Sequence, residues 1–233
     1  MAETKKNALT YGLIVLVILL FKFSLILFPV DHPQTRQSLL HVNEILLWTS
    51  VGFGLLRLAP KAGFPDIWEK GIGQVQRLLV PFAGGVVLAL LTIGESLLHG
   101  WPNFHVPFPQ SVFVYGSASV LYEIKYHLLP IVLIVWIACD LELEKKWENI
   151  FFWVVAGLLS LYEPFNQIRG MLKAGMVSGA LWICITFLKI FLANLIPLYL
   201  FKRSGFFGLV GFRFGAYLGW HIIWPAVYFN SVS

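Results

Sequence analysis

Charge is what this chain has least of. Lys, Arg, Asp and Glu together supply 12% of its 233 residues, about half the share usual in a soluble globular domain. With 58% hydrophobic residues and a mean hydropathy of +0.76, that scarcity excludes water as the principal solvent. Cysteine is scarcer still. Cys139 and Cys184 both sit in apolar runs, which argues against a disulfide framework and leaves the redox compartment unspecified. A basic tract is also missing: the 17 Lys and Arg behind the net charge of +5 are scattered along the chain, so the footprint of nucleic-acid binding is absent. No internal repeat supports an inverted-repeat transporter.

Long apolar runs are what the chain does have. A bilayer-spanning helix needs roughly 20 mostly apolar residues, so the length holds about seven or eight spans with short connections and no second, extramembrane domain. The runs fall at residues 8–30, 39–56, 78–98, 112–138, 150–161, 176–200 and 206–228. They predict a single transmembrane domain over 1–233, an all-α polytopic bundle of about seven helices, with six to eight as the range. The first run, preceded by Lys5 and Lys6 and carrying Lys22, is longer than a secretory core and lacks a small-residue cleavage site. It reads as a retained anchor.

The connections carry their own signals. Residues 60–77 form the first real loop, within which 67–78 is expected to lie amphipathically on the surface. Pro130 is expected to kink the fourth span. Residues 140–148, the densest charge cluster, read as a solvated loop. The fifth run is short and leads into Glu163 and Pro164, a setting that suits a carboxylate lining a cavity where a helix breaks and, equally, a helix-end acid near the interface. Placing the amino terminus in the cytoplasm assigns ten basic residues to that side (Lys5, Lys6, Arg57, Lys61, Lys70, Arg77, Lys145, Lys146, Lys202 and Arg203) against Arg36, Arg169 and Lys173 outside. That bias matches the tendency of Lys and Arg to gather on the cytoplasmic face. Two helices broken at Pro130 instead of one would reverse the parity.

Ionisable groups inside spans cost about 2.5–3.5 kcal/mol each at mid-bilayer on insertion scales, so they face a bundle interior or cavity and act there. The chain pairs acids with histidines at helical spacing three times: His41 with Glu44, Glu95 with His99, and Glu123 with His127. Residues three or four apart share a helix face, so each pair can share a proton or meet one ligand. The first two pairs lie near span ends, where an interfacial, hydrated setting is the favoured account; Glu123 and His127 are deeper. Arg213 and His221, eight residues apart, can line one side of the last span. An intramembrane Arg needs a carboxylate, and Glu123 or Glu163 is the natural partner.

The segment Tyr122-Glu123-Ile124-Lys125-Tyr126-His127-Leu128-Leu129-Pro130 resembles the Glu-Glu-x-x-x-Arg motif of the CAAX protease and bacteriocin-processing (CPBP) family of glutamic-type intramembrane endopeptidases. Leu159 to Glu163 occupies the place of a Phe-x-x-x-His motif, and Lys202-Arg203-Ser204-Gly205 resembles the basic-Gly turn before the family's last helix. The resemblance runs over about 112–228. It implies a site in which the leading Glu and histidines activate water and an Asn or Asp assists the oxyanion. Each motif is altered here: Tyr122 replaces the first Glu, His127 the Arg, Leu159 and Glu163 the Phe and His, and Arg213 and Tyr217 the final His and Asn. Glu123, His127, Glu163 and His221 remain as a redistributed catalytic set, with Arg213, Tyr217, Glu95 and His99 as binding residues.

Three functions follow as expectations. The substituted motifs favour a scaffold, accessory subunit or binding protein with a polar intramembrane cavity, its partners the lipid bilayer, other membrane proteins or a transmembrane peptide segment, and no nucleic acid. The alternative is an active endopeptidase using the rearranged Glu/His set. The third is a metal or haem held by Glu95, His99, Glu123, His127 and His221, since inward carboxylates and imidazoles on facing helices can build such sites. No cofactor is specified by any motif.

Overall fold

A computed structural model describes residues 2–29, 42–141 and 147–232. Its helices follow the apolar runs. α1 spans Ala2–Leu27 and α2 Val42–Leu58. α3 spans Val80–His99 and is entered through a π-helical turn, Val75–Leu79. α4 joins Gln110–Glu123 to Leu129–Leu141 through a second π turn, Ile124–Leu128. α5 is Glu148–Lys173 and α6 is Ala180–Ser204. α7 joins Phe206–Tyr217 to Trp224–Val232 through a third π turn, Leu218–Ile223. Among the described residues there is no strand, and six of these seven helices are long and apolar enough to cross a membrane. The protein is an all-α, membrane-spanning bundle.

Successive helices run antiparallel, which puts the residue 59–74 connection and Gly205 at the end of the bundle where α1 begins, and the 100–109 and 174–179 connections at the other. Contacts between distant segments agree with this course. Trp68 donates to Thr10 Oγ1 at 2.8 Å, Lys202 Nζ donates to Asn149 Oδ1 at 2.7 Å, and at the opposite end Trp101 Nε1 donates to the Met176 carbonyl at 2.8 Å. Gly205 alone connects α6 to α7, at φ 72°, a left-handed value that a Cβ would strain. The outer surface is apolar in the manner of a lipid-facing one: on α1 alone Leu9, Leu13, Leu16, Leu20, Phe23 and Leu27 are exposed.

The larger core lies toward the α1-start end. Ile124, Leu128, Ile131 and Val132 of α4 meet Phe152 of α5, Phe201 of α6, and Phe206 and Leu209 of α7 there, all essentially inaccessible. A smaller cluster of Ala89, Trp101, Val177 and Trp220 closes the other end. Between α3 and α7 the backbones touch. A Cβ at Gly215 would strike the Phe82 carbonyl oxygen, and one at Gly85 would strike that of Phe212, with Ala216 N at 2.7 Å. Lipid tails are as apolar as side chains, so helices in a bilayer associate through such close small-residue packing.

Three expectations change here. Residues 67–78 do not form a surface amphipathic helix: Ile67 is buried in the core, Trp68 is pinned by Thr10, and helical structure starts only near Gln74. α5 does not stop near residue 161 and is not broken at Pro164, which lies inside a continuous 26-residue helix. α4 passes Pro130 as one helix, so the two-helix alternative falls. Unanticipated from the sequence, each π turn ends two residues before a proline (Pro81, Pro130 and Pro225). Proline lacks an N–H and crowds the carbonyl of the preceding turn, and a widened turn relieves that crowding without ending the helix. Pro164 and Pro197 sit in unwidened helix, so proline alone does not specify the device.

Candidate functional site

Three polar networks sit inside the bundle. In the central one, Glu123 is fully buried on α4 and both its oxygens are occupied. Oε1 accepts from Arg213 Nε of α7 at 2.5 Å, and Oε2 meets His127 Nδ1, one turn on, at 2.5 Å. Arg213 Nη2 also donates to Asn194 Oδ1 of α6 at 3.1 Å, and Asn194 returns its amide to the Ile190 carbonyl at 2.8 Å. The guanidinium lies over the Tyr122 ring, 4.4 Å from its centroid, with the Tyr217 ring 5.9 Å away. A guanidinium sandwiched by aromatic faces gains cation–π attraction while it neutralises the carboxylate. Lys125, two residues from Glu123, points elsewhere, over the Trp48 and Tyr126 rings.

The second network joins α3 to α6. Glu95 is buried and accepts from Thr186 Oγ1 through Oε1 and from Lys189 Nζ through Oε2. Lys189 also lies 5.5 Å from the Trp101 ring. The expected partnership of Glu95 with His99 is therefore replaced. Lys189 offers a full opposite charge from a facing helix, whereas His99 turns toward Trp182 and Trp101, with ring centroids 4.8 and 6.5 Å away.

The third network lies where the 100–109 connection meets α7. His105 Nδ1 and His221 Nδ1 are 3.1 Å apart, His221 stacks on Tyr115 at 4.2 Å, and Trp220 packs edge-on to His105 at 4.8 Å. Two ring nitrogens at that distance share one proton. Burial pushes the His105 imidazole down to about 4.

A cavity of about 610 Å³ opens between α3, α5, α6 and α7 beneath the 100–109 connection, within the 300–1,000 Å³ typical of ligand pockets. Arg213, Asn194, Lys189, Tyr122, Tyr217 and His221 supply most of its polar wall, with Thr92 and Gln167; Trp101, Phe104, Trp220 and aliphatic or thioether side chains supply most of the rest. Glu123, His127 and Glu95 do not line it. The carboxylates stand behind the cations, so the wall presents cationic and amide donors.

Of the residues expected to form one catalytic set, the structure brings together Glu123 and His127 and adds Arg213, choosing Glu123 over Glu163 as its partner. Glu163 is half-exposed, holds Gln167 Nε2 at 3.0 Å, and stands only within electrostatic reach of Tyr122 and Tyr217. His221 belongs to the His105 pair. The five-residue metal or haem set is likewise dispersed over separate networks, and among the described residues no three His, Cys, Asp or Glu side chains gather as a ligand group. His41 lies outside the described residues, so its pairing with Glu44 has no structural counterpart. Lys189, Asn194 and His105 were missed as site residues. For the first two the signal was present, a Lys and an Asn inside an apolar span, and the same insertion cost that singled out Glu123 applies to them.

Comparison of the chain with protein-family models, with curated proteins and with solved structures finds no match.

Proposed function

We propose that this chain is a multi-pass membrane protein that binds a ligand or a transmembrane segment in its internal cavity and does not cleave it. One observation carries the reading. The carboxylate best placed by sequence to act as a base, Glu123, has Arg213 on one oxygen and His127 on the other and lies outside the cavity wall. A general base must come within hydrogen-bond reach of the proton it removes, directly or through one water. Here Arg213 stands between that base and any occupant. The substituted motifs support the same reading, that of a catalytically degenerate relative of the CPBP endopeptidases acting as a scaffold or accessory subunit. The ten-to-three distribution of basic residues supports a cytoplasmic amino terminus.

The Glu123–His127 contact favours a second reading, an active endopeptidase that exchanges the Arg213 pairing for a water when substrate enters. Membranes from cells expressing the wild type, Glu123→Gln or Glu163→Gln discriminate the two by quantitative proteomics. The binding reading expects no membrane protein to persist uncleaved in either variant. One that accumulates uncleaved in a variant and is cut in wild type establishes the endopeptidase.

A further inference from the structure

Among the described residues, the cavity between α3, α5, α6 and α7 combines room for a ligand with donors that no hydrogen bond within the protein takes up. A guanidinium carries five N–H donors and an ammonium three. Among the described residues Arg213 commits Nε to Glu123 and one Nη2 donor to Asn194, and Lys189 commits one donor to Glu95. The remaining donors belong to groups that line the cavity. Asn194 and Lys189 are five residues apart on α6, which separates them by about 7.5 Å along the axis. One cationic group is therefore deep in the cavity and the other nearer the 100–109 end. Apart from Thr92, Gln167 and the polar groups already named, the wall, including Trp101, Trp220, Met171, Met176 and Leu88, is apolar and fits a hydrocarbon chain.

Charge counting narrows the headgroup. Arg213 and Lys189 are each paired with one buried carboxylate, Glu123 and Glu95, so these two ion pairs leave no excess positive charge of their own for a ligand. A singly charged head adds one negative charge to a wall of N–H donors; a dianionic phosphate adds two and has only the same two cations to meet it. The planar fork of a guanidinium matches a planar carboxylate, and charge-assisted hydrogen bonds of this type are about twice as strong as neutral ones. Resting on the binding reading above, we propose that the cavity holds a single-chain lipid carboxylate, its head on Arg213 with Lys189 as the second cation and its tail along the tryptophan-lined wall. The surrounding bilayer is the source of such an amphiphile.

The test uses the full chain in detergent with tritiated palmitate, displaced by unlabelled palmitate, hexadecanol or hexadecyl phosphate, three ligands of equal chain length. Palmitate is expected to bind at least tenfold more tightly than hexadecanol and no less tightly than hexadecyl phosphate. Equal displacement by palmitate and hexadecanol overturns carboxylate recognition and leaves the binding reading standing. Tighter binding of hexadecyl phosphate overturns the choice of head. Absence of saturable binding by any of the three overturns this inference and counts against the cavity as a binding site. The double variant Lys189→Met with Glu95→Gln removes a cation without leaving an unpaired buried charge. It is expected to keep hexadecanol binding, which reports an intact cavity, and to lose most of the preference for palmitate; an unchanged preference overturns the role given to Lys189.

Discussion

Removing Arg213 alone leaves the fully buried Glu123 carboxylate with only His127 to meet it. Breaking one side of a buried ion pair costs about 3–5 kcal/mol, whereas replacing both sides by apolar groups of similar volume is often neutral. Arg213→Met is therefore expected to lower the thermal midpoint in detergent strongly, and Glu123→Leu with Arg213→Met to recover most of the loss. A double variant as unstable as the sum of the singles would show that the pair does not act as a unit. A second residue-scale prediction concerns His105, whose imidazole is pushed by burial from the usual 6.5 down to about 4. The unfolded chain then binds more protons than the folded one between those values. Stability attributable to this group is present above pH 6.5 and lost as pH falls toward 4. His221, Trp220 and Phe104 are the groups on its flanks. Melting midpoints measured from pH 7.5 to 4 should fall, and His105→Gln should flatten that dependence.

At the scale of elements, α3 and α7 approach so closely that glycine at 85 and 215 is required by space. Gly215→Leu would drive its side chain into the Phe82 carbonyl, and Gly85→Leu into that of Phe212. Overpacking of this kind costs about 1–3 kcal/mol, or more where backbone must move. Either variant is expected to melt earlier and to loosen the cavity, because Arg213, Tyr217 and His221 ride on α7 and Leu88, Ala89 and Thr92 on α3. Gly157 faces open space, so Gly157→Ala serves as the control and should leave the midpoint nearly unchanged. The helix content was legible from the apolar runs, since length and hydropathy are summed properties of a segment. The three π turns were not, because they depend on how a proline two residues on is accommodated, and Pro164 and Pro197 show the same residue absorbed without them.

Taking the molecule as a whole, alternating helix directions gather Lys5, Lys6, Arg57, Lys61, Lys70, Arg77, Lys202 and Arg203 toward one end and Arg169 and Lys173 toward the other. A cytoplasmic amino terminus then predicts which end an impermeant thiol reagent reaches in intact cells. In a background with Cys139→Ser and Cys184→Ser, a cysteine placed at Lys173 should be labelled from outside and one at Lys61 only after permeabilisation; the reverse pattern inverts the orientation.

Composition alone determined the solvent, the fold class and the short roster of polar residues worth following, because burying charge in hydrocarbon is costly enough that each such residue stands out in one dimension. Spacing along a single helix also made the Glu123–His127 contact available, which is local, although the same spacing of Glu95 and His99 was not used. Which charges neutralise which was decided only by the tertiary structure: Arg213 chose Glu123 over Glu163, Lys189 displaced His99 from Glu95, and His221 paired with His105. Those contacts join residues 90 or more apart in the chain, and their energies depend on distance and burial after packing, neither of which the spacing of residues along a helix contains.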